Sequence, residues 1–482
     1  MNGFGRIAAA LALLVGSLSA FAQEPTPVPE PDATAQQIEL LKQQVEALAA
    51  QVKALEQQQA AAAAEQTAVK EAQAKKAPAA IVTAGQDGFT IASPDKAFTM
   101  KVSGRIQFDT SWFSEDNDLK YSVGDQQDAF GFNSARLRLN GKLFDNIEYM
   151  MEYEFATQNG ADNAEFKDVY LQLNDIPYGR DLAGNVTVGH FREPFSFEQL
   201  TSARYIMFVQ RSLMDSLVPS RNPGIQWSDA ILGEEKKERM TYALGVFKEA
   251  DNWPSSNDAD EDQGYSFTGR VTGLPYYANE GRQLLHLGFG YSHRNPDGAV
   301  VAYSARPENK LSQFRYVNVD ATPLYRLRDA RADDIDLYNL ELASVLGPFS
   351  LQSEYTLSEV DTTFDNTRQF SGYYAQMGYF LTGEHRPYKN SAGVFDKVKP
   401  ANNFGWGAED GWGAWEVAAR YSSLDFSDGG VRGGEQEDVT LGLSWYLNAN
   451  TRVMWNYIHG EVDQDLYSGD FDAFDMRFQL EF

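Results

Sequence analysis

Residues Phe471–Phe482, FDAFDMRFQLEF, alternate apolar and polar side chains and end on an aromatic ring. Strand side chains switch faces at every residue. Phe474, Met476, Phe478, Leu480 and Phe482 therefore point one way, and Asp475, Arg477, Gln479 and Glu481 point the other. One face suits hydrocarbon and the other suits water, as in the closing strand of an outer-membrane barrel. The edge strand of a soluble sheet can alternate in the same way, so the rest of the chain has to decide.

Working back from that strand, alternating segments of about ten residues recur to Phe98. They fall at 98–112, 133–143, 147–156, 166–173, 185–192, 224–230, 239–247, 265–273, 283–293, 335–346, 349–359, 370–381, 413–425, 436–447, 451–461 and 471–482. About sixteen is an even number, as a bacterial barrel with both ends on one side requires. A further candidate, Val301 to Arg306, breaks that parity and is set aside. Phe144-Asp145-Asn146, Leu346-Gly347-Pro348 and Asn448-Ala449-Asn450 fit short turns, while 113–132, 193–223, 248–264 and 294–334 fit outer loops. The stretch 383–412 is long on the side where short turns belong. The reading is all-β: an antiparallel transmembrane barrel of about sixteen strands over 85–482, preceded by an α-helical coiled-coil segment.

The N-terminus carries one Arg, an apolar stretch from Ile7 to Leu18, and Ala20-Phe21-Ala22. That reads as a signal peptide over 1–22, too short to span a bilayer as a helix. A Pro-rich linker over 23–35 leads to Ile38, Leu41, Val45, Leu48, Val52 and Leu55, spaced alternately by three and four. This is the seam of a coiled coil over 36–59, or of one amphipathic helix lying on another surface. β-Branched residues alternating with Leu favour two strands. Barrel porins are usually trimers, and because the heptad run is short a homotrimer is expected. An Ala/Gln/Lys tract makes 60–84 a spacer.

Formal charge is −27, which argues against nucleic acid as a partner. There is no Cys, so disulfides and thiolate chemistry are excluded. With 39 Gly and 13% aromatic residues, the composition fits many strands, turns and aromatic belts. Mean hydropathy is −0.44, and after Leu18 no apolar run approaches the roughly 20 residues of a spanning helix. A barrel escapes that test because only alternate residues face lipid. No H-E-x-x-H, G-x-S-x-G or G-x-x-x-x-G-K-[ST] motif occurs, so no enzyme is expected. The five His residues lack ligand spacing, and the acidic runs Glu115–Asp118 and Asp258–Asp262 read as a solvated rim rather than calcium loops. No metal and no cofactor is assigned.

The same parity turns Arg136 and Arg138 inward in ARLRLNGKLF, opposite Leu137, Leu139 and Leu143. Arg105, Arg270, Arg420, Arg452 and Arg477 follow them. A guanidinium stays charged and grips oxyanions through parallel hydrogen bonds, so such a stripe suits an anion path. Glu148, Glu152, Glu154, Glu354 and Glu416 turn inward too, and salt bridges along the wall are the other reading. The connection GHFREPFSFEQLTSARYIMFVQRSLMDSLVPSRNPG is far too long for a turn. Folded into the bore, it brings Arg204, Arg211 and Arg221. Laid over the mouth, it offers them to lipopolysaccharide phosphates. The apolar Met207-Phe208-Val209 favours infolding.

From about Gly85 onward the chain resembles the phosphate-selective porin O and P family of Gram-negative outer membranes. DGFTIASPDKAFTMKVSGRIQFD, VGHFREPFSFEQLTSARYIMFVQRS, LYNLELASVLGPFSLQSEY, FSGYYAQMGYFLTGEHRPY, GAWEVAARYSSLDF and VTLGLSWYLNANTRVMWNY carry the resemblance. It implies a trimeric sixteen-stranded barrel whose arginine-lined lumen and infolded, cation-bearing constriction pass phosphate or polyphosphate. It places Arg204 and Arg211 in the constriction, and Arg105, Arg136 and Arg138 on early strands. Family members rely heavily on pore lysines, and none lies here between Lys167 and Lys236. A broader anion path or a general porin is therefore the other reading. The helix, placed in the periplasm, adds a possible tether to peptidoglycan.

Overall fold

The structure is a computed structural model describing residues 31–74, 80–85, 88–156, 165–177, 183–233, 237–249, 264–296, 301–319, 331–363, 366–407 and 411–482. The expected signal peptide, the start of the Pro-rich linker and the acidic run Asp258–Asp262 lie outside the described residues. The chain divides into two units, Met1–Ala77 and Pro78–Phe482.

The described residues of the first unit form one helix, α1 (Pro31–Ala74). Its 44 residues span about 66 Å. The helix outruns the expected 36–59 because Ala, Gln, Glu and Lys are strong helix formers and no Gly or Pro interrupts them. Most of the tract read as a spacer is therefore helical. The seam residues Ile38, Leu41, Val45, Leu48, Val52 and Leu55 are each more than half exposed on the single chain.

The second unit opens with a hairpin, β1 (Ile81–Gly85) and β2 (Gly88–Ala92), whose short strands escaped the sequence reading. Sixteen longer strands follow: β3 (Phe98–Glu115), β4 (Ala129–Leu143), β5 (Ile147–Glu154), β6 (Glu165–Pro177), β7 (Ala183–Arg192) and β8 (Arg221–Ile231). Next come β9 (Met240–Lys248), β10 (Tyr265–Ala278), β11 (Gln283–Arg294), β12 (Ala332–Leu346) and β13 (Phe349–Thr362). The last are β14 (Thr367–Phe380), β15 (Ala414–Asp428), β16 (Val431–Asn448), β17 (Thr451–Gln464) and β18 (Tyr467–Glu481). Each pairs antiparallel with the next, and β18 returns to β3 from Phe471↔Glu115 to Glu481↔Arg105. The sheet is a closed barrel. Ser304–Ala305, in the rejected seventeenth candidate, pairs only with Val317–Asn318, apart from the barrel.

Closure obeys the two-residue period. On β18, Phe474, Phe478, Leu480 and Phe482 are exposed, while Asp475, Arg477, Gln479 and Glu481 are buried. Leu340 on β12 and Leu441 on β16 are likewise more than half exposed, as lipid-facing side chains of an isolated barrel must be. Trp415, Trp445 and Trp455 stack across β15–β17 near one rim, in the manner of an interfacial aromatic girdle.

The seam closes tightly. Gly104 N–H donates to Phe482 O at 2.9 Å, and Phe482 N–H donates back at 3.1 Å. Past that point β2 takes over as the neighbour of β3, from Phe89↔Val102 to Ala92↔Thr99. A Cβ at Gly104 would lie 2.6 Å from the Phe482 ring and 2.7 Å from Arg136 O. Gly104→Val should therefore cost about 1–3 kcal/mol through overpacking. The expected outcome is a smaller fraction migrating as the folded form on unheated SDS gels after refolding into lipid; an unchanged fraction would show that the seam adapts.

Candidate functional site

Three connections turn back onto the inward faces of the strands. The first, 193–220, follows β7. Phe197 and Glu198, at the start of the four-residue helix α2 (Phe197–Leu200), donate their backbone N–H groups to Glu354 on β13 at 2.8 and 2.7 Å. The second, 301–319, brings Asn309 to Ser111 at 3.0 Å and to Asp475 at 2.5 Å, and Lys310 to Asn133 O at 2.9 Å. The third, 381–413, starts from the end of the barrel where Phe482 meets Gly104. Asn390 donates to Glu238 O at 2.9 Å, and Lys397 pairs with Glu481 at 2.8 Å. This is the long segment that sat on the short-turn side of the sequence reading.

Inward arginines hold these segments, four of them gripping an acid with one edge and a main-chain carbonyl with another. Arg477 takes Asp109 at 2.7 and 2.6 Å and Val209 O at 2.5 Å. Arg270 takes Glu341 at 2.7 and 2.8 Å and Gly393 O at 2.8 Å. Arg420 holds Glu308 and donates to Gln210 O at 3.1 Å, with its guanidinium 4.4 Å from the centre of the Phe208 ring. Arg386 holds Glu416 and Tyr205 O. Arg452 donates to Ile206 O at 2.9 Å without an acid in salt-bridge range among the described residues. Carbonyls 205, 206, 209 and 210 are thus taken one after another from strands β15, β17 and β18 and from the 381–413 segment.

The eight arginines singled out from sequence divide unevenly. Arg136 bridges Glu152 at 2.7 Å and Glu154 at 2.6 Å, and Arg138 shares Glu152. Arg221 grips Asp168 through two bonds of 2.9 and 3.1 Å. With Arg270 and Arg420, these five have the wall salt bridges that were the competing reading. Arg204 stands 3.5 Å from Glu481 and Arg211 3.7 Å from Asp215, both looser contacts. Arg105 donates to Ser134 Oγ at 2.9 Å and reaches no carboxylate among the described residues.

Sequence reasoning missed Arg192. Strict alternation groups it with lipid-facing Val188, yet at the end of β7 it turns to Thr201 O at 3.3 Å and also holds Gln199 O. Arg211 donates to the same two carbonyls at 3.1 and 3.3 Å. Arg192 has no carboxylate in salt-bridge range among the described residues. On the β3–β8 side, then, Arg105, Arg136, Arg138, Arg192, Arg204, Arg211 and Arg221 meet the acids Glu152, Glu154, Asp168, Asp215 and Glu481. Among these residues seven guanidinium groups meet five carboxylates, and Arg105 and Arg192 are the two with no carboxylate in salt-bridge range among the described residues.

Interior acids elsewhere are of two kinds: Glu193, Glu308, Glu341 and Glu416 pair with arginines, while Glu115, Glu354, Asp438 and Asp475 have no cation in salt-bridge range among the described residues. His286 sits between Tyr388 Oη at 2.8 Å and Glu341 at 3.0 Å, and His190 meets Lys167 O at 2.6 Å, so both bond within the wall as expected. Glu198 lies in 193–220, outside the strands, and accepts from Ser212 N–H at 3.1 Å and Oγ at 2.8 Å. Burial pushes its carboxyl up to about 7, with Arg420 opposing and Asp215 reinforcing that rise. Among the described residues no group of His, Asp or Glu is arranged to hold a metal ion.

A closed sixteen-stranded barrel, apolar outside and polar within, is the architecture of an outer-membrane porin. Its family follows from comparison: the chain belongs to the phosphate-selective porin O and P family, whose model matches residues 100–482. It is 26% identical over 441 residues to Porin O of Pseudomonas aeruginosa, covering 84% of this chain and 93% of that protein. A protein of Caulobacter vibrioides is 28% identical over 398 residues, covering 80% of this chain and 72% of its own length. In fold the chain is similar to an anion-selective porin from Comamonas acidovorans, with a TM-score of 0.51 at 12% identity, covering 80% of this chain and 100% of that one.

Glu198 makes the interior sensitive to pH near neutrality. Its folded pKa lies above the ordinary carboxylate value, so the folded chain holds that proton more tightly than the unfolded chain. The attachment of 193–220 therefore weakens as pH rises from the usual carboxylate range to about 7 and is level above it. Ionisation also places a negative charge in the bore. Anion over cation permeability should fall between about pH 6 and pH 8, and Glu198→Gln should flatten that dependence. Reversal potentials in a KCl gradient at each pH check this; an equal slope in the variant would assign the effect to another group.

Proposed function

We propose that the barrel is a passive, water-filled channel for anions, phosphate or polyphosphate among them, constricted by 193–220. The observation that carries this reading is the pair of inward arginines, Arg105 and Arg192, that have no described carboxylate partner. A cation without an acid partner, partly buried in the wall of the bore, attracts anions more strongly than it would in bulk water. Family membership and the similarity to Porin O and to the anion-selective porin of Comamonas acidovorans support the same reading. The absence of Lys between Lys167 and Lys236 favours a second reading, an anion porin without strict phosphate preference.

Planar-bilayer reversal potentials in a KCl gradient test the channel. The expected result is chloride over potassium preference, reduced severalfold by Arg105→Ala with Arg192→Ala, and chloride current inhibited by added phosphate. Cation preference removes the reading. Anion preference without phosphate inhibition leaves the general anion porin.

We also infer a homotrimer whose α1 helices pair through the exposed Ile38–Leu55 seam in the periplasm, where they could meet peptidoglycan. The outer rim then faces lipopolysaccharide. Six apolar side chains left open to water on one stripe support a partner helix. Removing residues 36–59 should leave single-channel conductance unchanged and abolish crosslinks between α1 helices; loss of envelope attachment would add a tethering role, and unchanged attachment would exclude it.

A further inference from the structure

Between β6–β10 and the infolded segments lies a cavity of about 480 Å³. Pro194 and Leu200 border it on the side of 193–220, and Ser391 and Ala392 on the side of 381–413. Its walls differ from those of a phosphate site. Arg192 supplies a charge with no described carboxylate partner. Around it, the Tyr170 hydroxyl, Gln226 amide and Ser228 hydroxyl make no hydrogen bond with any described residue. The rings of Tyr170 and Phe191 pack edge to face, 6.0 Å between centroids, so an apolar surface adjoins these polar groups.

That volume is in the range of sites for organic molecules, about 300–1,000 Å³, and inorganic phosphate would leave most of it to water. A single available guanidinium balances one negative charge. Arg270, the other arginine at the cavity, is already neutralised by Glu341. Asp229 and Glu238 border the same cavity and disfavour a multiply charged anion there. Unpaired amide and hydroxyl groups beside aromatic faces match a body that is hydroxylated at its edges and apolar on its face.

We propose that this cavity is an organic-anion subsite of the channel, selective for a hydroxylated monocarboxylate of sugar-acid size. The carboxylate docks on Arg192, the carbon chain lies against Tyr170 and Phe191, and the hydroxyls pair with Gln226, Ser228 and the Tyr170 hydroxyl. The assignment rests on the anion-channel reading. A site that hydrogen-bonds a ligand's hydroxyls discriminates against the analogue lacking them, because its polar groups are then left unpaired.

The experiment is inhibition of chloride current through the full-length channel in planar bilayers by gluconate, acetate, phosphate or neutral glucose. Gluconate should inhibit at about a tenfold lower concentration than acetate or phosphate, a difference of ~1.4 kcal/mol. Glucose should inhibit least. Tyr170→Phe with Gln226→Leu should remove gluconate's advantage over acetate, and Arg192→Gln should weaken inhibition by both acids. A variant that still conducts chloride is folded, so its result counts. The subsite is overturned if gluconate is no better than acetate, if phosphate exceeds it, or if the Tyr170/Gln226 variant keeps gluconate's advantage. Reversal potentials in the same membranes separate the two claims: anion preference without gluconate discrimination sinks the subsite alone, and cation preference sinks the channel reading with it.

Discussion

Backbone hydrogen bonding in hydrocarbon is the constraint on which this structure depends. Lipid offers no partner to an N–H or C=O group, so a spanning strand must be paired on both edges and the sheet must close. Here closure comes from β18 against β3, and it ends where Gly104 exchanges two bonds with Phe482. Once the sheet is a cylinder, the two-residue period divides every strand into a lipid face and a bore face. The polar half of each strand then shares one confined interior, which has to be neutralised, hydrated or filled.

Arginine does most of that filling, and its geometry explains why. A guanidinium has five N–H donors in a rigid plane, so it can grip a carboxylate with one edge and still donate elsewhere. Arg270, Arg386, Arg420 and Arg477 each do both, with the second bond going to a carbonyl of an infolded segment. An ammonium also has three donors but lacks the planar fork that meets both carboxylate oxygens in register. The wall ion pairs and the seating of the loop are therefore one arrangement. Charge neutralisation in the wall and the path left open for solute cannot be altered independently at these positions.

The alternation recurring from Phe98 to Phe482, and not in the last strand alone, makes the barrel legible, because a lipid face and a bore face leave a local signature in every strand. Inward placement of Arg105, Arg136, Arg138, Arg270 and Arg420 follows from the same local rule. What each one pairs with does not. Glu341 is 71 residues from Arg270, and Asp109 is 368 residues from Arg477, so those contacts are set by strand order and stagger around the cylinder. Arg192 was missed for the opposite reason: alternation fails where a strand stops. The hairpin β1–β2 was too short to show a period, and α1 ran on because nothing in its Ala-rich tract opposes a helix.

A formal charge of −27 looks hostile to an anion path, yet a solute in the bore responds to what lies within a Debye length. Charges on outer loops are screened by salt before they reach the lumen. Within it, an acid held by one guanidinium through two hydrogen bonds, as Glu341 and Asp109 are, presents little net field to a passing ion. The residues left to act are those whose charge is uncancelled nearby. On the β3–β8 wall these include Arg105 and Arg192, and Arg192 lies against the 193–220 segment. In the channel proposed above, selectivity is set by a few such side chains, about which the overall acidity of the chain carries almost no information.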